Sequence, residues 1–134
     1  MAKSDDADSL NLAILAAQTA DELKAQDISI LQIGRLCGFA DYFVICTCQS
    51  RVQMKGVAQK IIEGGKAIGH HRLGYEGEDS ENWALLDYGD VVVHVFRPEA
   101  RAYFNLERIW GDAEVIDWSP TFAQMDAQLA QTTQ

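Results

Sequence analysis

The chain has 134 residues, 48% of them apolar and 23% charged, the composition of one globular domain able to bury roughly two-thirds of its unfolded surface. Its net charge of −9 argues against simple affinity for phosphate and favours approach by a basic partner. Three cysteines, Cys37, Cys46 and Cys48, cannot all pair within one chain. Neither an apolar signal segment nor a run of transmembrane length stands before the folded region, so a reducing cytoplasm is the expected compartment.

Residues 1–8 are polar and Asp-rich and are expected to fray. From Ser9 to Gln26, Leu12, Leu15, Thr19 and Leu23 recur at three- and four-residue steps, which predicts an amphipathic helix capped by Asp8 or Ser9. "DISILQI" (27–33) is β-branched and short, hence a strand, and "GRLCGFAD" reads as a loop. "YFVICTC" (42–48) is apolar enough for a central strand. Ser50 opens a second helix with a capping-box pattern, "SRVQ", in which Gln53 reaches back to the cap. Its predicted buried stripe is Met54, Val57, Ala58, Ile61 and Ile68, with Gly64 and Gly65 weakening the second half unless they pack closely against the sheet.

"GHHRLGYEGEDSEN" is the longest expected loop. A hairpin follows in "NWALLDYGDVVVHVF" (82–96). Pro98 suits the first turn of a third helix carrying Tyr103, Leu106, Ile109 and Trp110, and "AEVIDW" (113–118) is a last short strand. The tail after Trp118 forms a weak helix around Phe122, Met125 and Leu129, or stays loose. Helices and strands thus interleave around a mixed sheet of about five strands, an α/β layer architecture in a single domain spanning 1–118.

Strand alternation divides the hairpin into two faces. Ala84, Leu86, Val91, Val93 and Val95 form an apolar core face. The other face carries Trp83, Leu85, Asp87, Asp90, Val92, His94 and Phe96. A turn centred on Tyr88-Gly89 sets Asp87 opposite Asp90, Leu85 opposite Val92 and Trp83 opposite His94. Turns favour Asp, so solvation explains the carboxylates alone. It does not explain Trp83 and Phe96, which are either covered by a helix or anchor a partner.

Several chemistries compete. Asp41, Asp87, Asp90 and His94 are candidates for acid–base or metal work, but no phosphate-cradling glycine loop is present. Cys46 and Cys48 lack the second pair that zinc needs and read as buried thiols. His70 and His71 are adjacent and point apart, which suits the C-terminal end of a helix better than a shared metal. Arg35, Arg51, Lys55, Lys60 and Lys66 are spread out and make no dense basic patch.

"GFADYFVICTCQSRVQ" and "GYEGEDSENWALLDYGDVVVHVFRPEARAYFNLERIWGDA" resemble the ribosomal silencing factor family, RsfS or Iojap. The pieces EG-x(5)-W, D-x-GD-x-x-VH-x-F, R-x-Y-x-x-LE and W-x-DA stand in the family's order, and the resemblance runs from about Asp8 to Trp118. It implies a nucleotidyltransferase-like fold without transferase activity, cofactor or metal. It also implies binding to the large ribosomal subunit through ribosomal protein L-fourteen, which blocks the small subunit and represses translation. Contact with ribosomal RNA would be marginal at most, and the free protein would be a homodimer. Trp83 matches the tryptophan tied to partner binding, and Glu76, Gly77, Asp87, Gly89, Asp90 and His94 match characteristic positions. Asp41 and Tyr42 match the start of the second strand.

Alternatives are a large-subunit assembly factor and a nucleotidyltransferase-like enzyme using Asp41 with the hairpin carboxylates. The enzyme reading lacks the Gly-Ser pair of that fold and has Phe43 where a second acidic residue belongs.

Overall fold

The computed structural model describes residues 2–36 and 38–118, with residues 2–7 described by backbone alone. The expected tail helix lies outside the described residues. The elements in chain order are α1 (Ala2–Glu22), β1 (Gln26–Gln32), β2 (Tyr42–Thr47), α2 (Arg51–Ala67), β3 (Gly74–Glu76), β4 (Trp83–Asp87), β5 (Val91–Phe96), α3 (Pro98–Phe104), α4 (Leu106–Ile109) and β6 (Glu114–Ile116). They build a six-stranded sheet in the order β3-β4-β5-β2-β1-β6. β2 and β5 run parallel, and the other neighbours are antiparallel. The α/β mixed sheet is the architecture expected. Its additional strand is β3, inside the segment read as loop.

One sheet face carries the larger core. There α1 and α2 cover Tyr42, Val44, Cys46, Leu86, Val93 and Val95. The buried stripe of α1 is mostly alanine: Leu12, Ala13, Ala16, Ala17 and Ala20, whereas Leu15 and Thr19 are only half-buried and Leu23 lies past the helix end. Small side chains let the helix lie close to its neighbours, so leucine spacing alone misplaced the buried stripe. The helix also runs back to Ala2 rather than starting near Ser9.

Ser50 caps α2 as predicted, its Oγ accepting from Gln53 N at 3.1 Å, a contact worth about 1 kcal/mol. Gln53 reaches one residue further back than expected, accepting from Gln49 N at 2.7 Å. Its amide donates to the Leu23 carbonyl at 2.9 Å, which ties α2 to the end of α1. Gly64 and Gly65 meet α1, not the sheet. A Cβ on Gly64 would stand 3.2 Å from Leu15 Cδ2, and one on Gly65 3.4 Å from Leu12 Cδ1. Ile68, expected in the stripe, is 49% exposed, because the helix ends at Ala67.

The other sheet face has a smaller core of Leu31, Ile33, Phe43, Ile45, Val92 and Phe96, with Ala100 of α3 and Leu106 and Trp110 packed on it. The expected third helix is two short ones, broken at Asn105, whose φ of 46° is left-handed. That break leaves Tyr103 (83%) and Ile109 (65%) exposed rather than buried. Because α3 and α4 are short, they cover only part of this face.

Candidate functional site

The uncovered part of the second face is a trough of about 500 Å³. β4 and β5 build its floor. Their register pairs Trp83 with Phe96, Leu85 with His94 and Asp87 with Val92, a slip of two residues from the expected pairing. The turn is responsible. Tyr88 N donates to the Val91 carbonyl at 2.9 Å, so the loop closes on Gly89-Asp90, with Gly89 at φ +85°. A two-residue slip keeps every side chain on its predicted face and changes only its cross-strand partner.

The slip separates the two aspartates. Asp87 Oδ1 accepts from Gly89 N at 2.8 Å and so holds the turn, while its side chain also lines the trough. Asp90 sits in the turn, not in a strand. Its carboxylate accepts from Ser9 Oγ of α1 at 3.2 Å, and its carbonyl accepts from the Asp41 and Tyr42 amides at 2.7 and 3.1 Å. The expected opposition of Asp87 and Asp90 on one face is therefore corrected: Asp90 fastens the hairpin to α1 and to the start of β2.

Aromatic rings line the floor. Trp83 stacks with His94 (6.2 Å between centroids, 6° between planes) and with Phe96 (6.2 Å, 15°). Phe43 of β2 meets His94 edge-on at 4.7 Å, and Phe104 of α3 leans on Trp83 at 5.5 Å. Helix cover and partner access were alternatives for the two large aromatics, and the fold divides them. Phe96 is 1% exposed and belongs to the core, whereas Trp83 is half-buried and borders the trough.

His94 is 6% exposed. Burial pulls its pKa down to about 4, so the ring is neutral near pH 7. Trp83 Nε1 donates to His94 Nδ1 at 3.4 Å, which leaves the ring proton on Nε2. That buried Nε2–H has no acceptor among the described residues.

Glu76 of β3 lines the trough beside β4. Gly77 contributes by having no side chain: at φ +79°, a Cβ there would stand 2.2 Å from the Trp83 carbonyl oxygen. Sequence reasoning missed the rim residues. Phe39 (68% exposed) and Leu73 (75%) stand at its edge. Their one signal was a large apolar side chain placed in a segment read as loop.

Cys46 and Cys48 are buried under α1 and α2. A hydrogen bond with Cys48, and burial, push the Cys46 thiol up and keep it protonated. Among the described residues, no group of three His, Cys, Asp or Glu is placed to hold a metal. No helix there is long and apolar enough to cross a membrane.

Comparison with known proteins places the chain. The sequence profile described as "Ribosomal silencing factor during starvation" matches residues 6–134. The chain belongs to the ribosomal silencing factor family. It is 41% identical over 103 residues to the ribosomal silencing factor RsfS of Bacillus subtilis, covering 77% of this chain and 87% of that one. It is 37% identical over 113 residues to the chloroplastic protein Iojap of Zea mays, covering 84% of this chain and 49% of that one. A crystal structure of a Chromobacterium violaceum protein superposes with a TM-score of 0.74 at 33% identity, covering 77% of this chain and 86% of that one.

In this silencing-factor chain, the R-x-Y-x-x-LE motif acquires a structural meaning. Arg101 pairs with Glu107 across the Asn105 break, and it also donates to the Asp27 carbonyl. A further bond reaches Thr47 Oγ1 at 3.0 Å. One guanidinium thus fastens α3 and α4 to the ends of β1 and β2.

Proposed function

We propose that the trough is a docking surface for the large ribosomal subunit, engaging ribosomal protein L-fourteen and sterically blocking the small subunit, so that translation is repressed without catalysis. The observation that carries this reading is an open, aromatic-floored sheet face with exposed Phe39 and Leu73 at its rim, in a chain of net charge −9. Apolar anchors in a desolvated pocket dominate protein interfaces, a central Trp contributing ~2 kcal/mol or more. Glu76 and Asp87 on the same trough suit charge-assisted bonds to a basic ribosomal protein. Trp83 supplies an aromatic wall, His94 the neutral ring that holds the indole in place, and Gly77 the close approach of β3 that shapes the edge. Asp90 acts indirectly, by holding the turn. A cytoplasmic compartment and a homodimer when free complete the proposal.

The test is co-sedimentation with purified large subunits. Phe39→Asp and Leu73→Asp alter exposed side chains, so both variants should fold yet lose binding and no longer inhibit subunit joining. Wild-type binding by both folded variants would remove the trough from the interface. Sedimentation velocity of the free chain reads the dimer.

A further inference from the structure

Charge is segregated in this molecule. Residues 51–72 hold five of the eleven Lys and Arg (Arg51, Lys55, Lys60, Lys66 and Arg72) but one of the twenty Asp and Glu, Glu63. The spacing looks dilute in sequence. Wound into α2, Arg51, Lys55 and Lys66 fall within about 60° of one another on one flank, at about 100° per residue. All three are exposed. His70, His71 and Arg72 continue this flank, and with Lys66 and Ile62 they line a concavity of about 410 Å³ at the end of the helix. The strip therefore runs about 22 Å along α2, at about 1.5 Å per residue, before reaching the concavity.

Cations at a helix C-terminus ordinarily satisfy its last carbonyls. Here the backbone already does so. The Gly65 carbonyl accepts from Ile68 N and His70 N, at 3.1 and 2.8 Å, and the Lys66 carbonyl from Gly69 N at 3.1 Å. Internal ion pairing is also slight. Arg51 approaches Asp79 at 3.8 Å, with both side chains exposed, and no described carboxylate pairs with Lys55, Lys66 or Arg72. Arg72 instead lies over the Tyr75 ring at 5.6 Å, which leaves its positive charge available to an anion.

We infer that the α2 flank from Lys55 through Lys66 to Arg72 is a second contact surface, which takes the phosphate backbone of RNA. An extended row of unpaired cations matches a polyanion better than a single ion, and it lies on a different face from the trough. Its choice of RNA rests on the proposed ribosomal target, whose surface is rich in phosphate. Such a contact adds affinity through counterion release and reads no sequence. It gives an acidic protein a local means of meeting RNA that its net charge conceals.

The test uses the full chain and the triple variant Lys55→Glu, Lys66→Glu, Arg72→Glu, all exposed positions, with thermal melting to confirm the fold. Binding is measured against a double-stranded RNA oligonucleotide, purified large subunits, isolated L-fourteen and phosphatidylglycerol vesicles, over a range of salt. The triple variant should lose at least about tenfold in affinity for RNA and for subunits at low salt, with a salt slope lower by about 2–3. Its binding to isolated L-fourteen should be unchanged. Equal RNA binding by both proteins overturns the inference, as does a wild-type chain that binds the vesicles and not the RNA. Loss of L-fourteen binding by the wild type would overturn the docking proposal alone, because the RNA measurement stands without it.

Discussion

Trp83 and His94 are locked together across the hairpin, the indole N–H donating to the imidazole Nδ1 at 3.4 Å while the two rings lie within 6° of parallel. The pair fixes the His94 tautomer, while burial keeps the ring uncharged, with its pKa at about 4. An unfolded histidine titrates near 6.5. Between these values the unfolded chain binds more protons, so stability rises with pH. The His94 contribution is complete above about 6.5 and is lost as pH falls towards 4, roughly 3 kcal/mol in all. Urea midpoints from pH 7 to pH 4 should show this slope, and His94→Phe should flatten it. An unchanged slope in the folded variant would show that His94 does not titrate in this way.

Gly77 and Gly69 provide a matched pair. Both have positive φ, +79° and +91°, but only Gly77 has a neighbour inside contact distance. Gly69→Ala should cost about 1–2 kcal/mol for left-handed backbone alone. Gly77→Ala should cost clearly more, because β3 must move off the Trp83 carbonyl. Thermal melts of the two variants decide, and equal losses would mean that the Gly77 contact is soft.

Arg101 serves three acceptors with one planar fork, on the Asp27 carbonyl, Thr47 and Glu107. Arg101→Lys keeps the charge but not the geometry. It should lose about 1–3 kcal/mol, close to the loss for Arg101→Ala. Hydrogen exchange should localise the damage to α3 and α4. A lysine variant as stable as the parent would show that charge alone suffices.

Asp87 combines a turn role with a trough role, and the two are separable. Asp87→Asn retains an acceptor for Gly89 N, so it should melt within about 0.5 kcal/mol of the parent, whereas Asp87→Ala should lose about 1 kcal/mol. If the carboxylate also meets a basic partner, the asparagine variant should bind large subunits more weakly despite its intact fold. Unaltered subunit binding would confine Asp87 to the turn.

Much of this molecule was legible because one-dimensional periodicity survives folding. The two hairpin faces, the Ser50 cap and the central strand at Tyr42 all follow from local pattern. What stayed hidden depended on partners distant in sequence. The hairpin register turned on where the loop closed, which parity cannot distinguish in steps of two. β3 is three residues long and exists because β4 supplies its ladder. The third helix breaks at left-handed Asn105, and Arg101, which spans the break to Glu107, is also held by Asp27 and Thr47 far away in the chain. The trough's rim joins Phe39 to Leu73 through space, and neither loop carries a sign of the other. The α2 strip was invisible for the opposite reason, since its charges lie far apart until the helix winds.

The trough draws Phe43 from β2 and His94 from β5, and these strands form the parallel seam. Parallel neighbours cannot be joined by a tight turn, so α2, β3 and β4 must all be made before the seam can close. A chain emerging from synthesis therefore carries no trough until Phe96 is in place. On the docking proposal, competence to dock arrives in one step with β5, before β6 is made. A half-made copy would then have nothing with which to hold the ribosome that is making it.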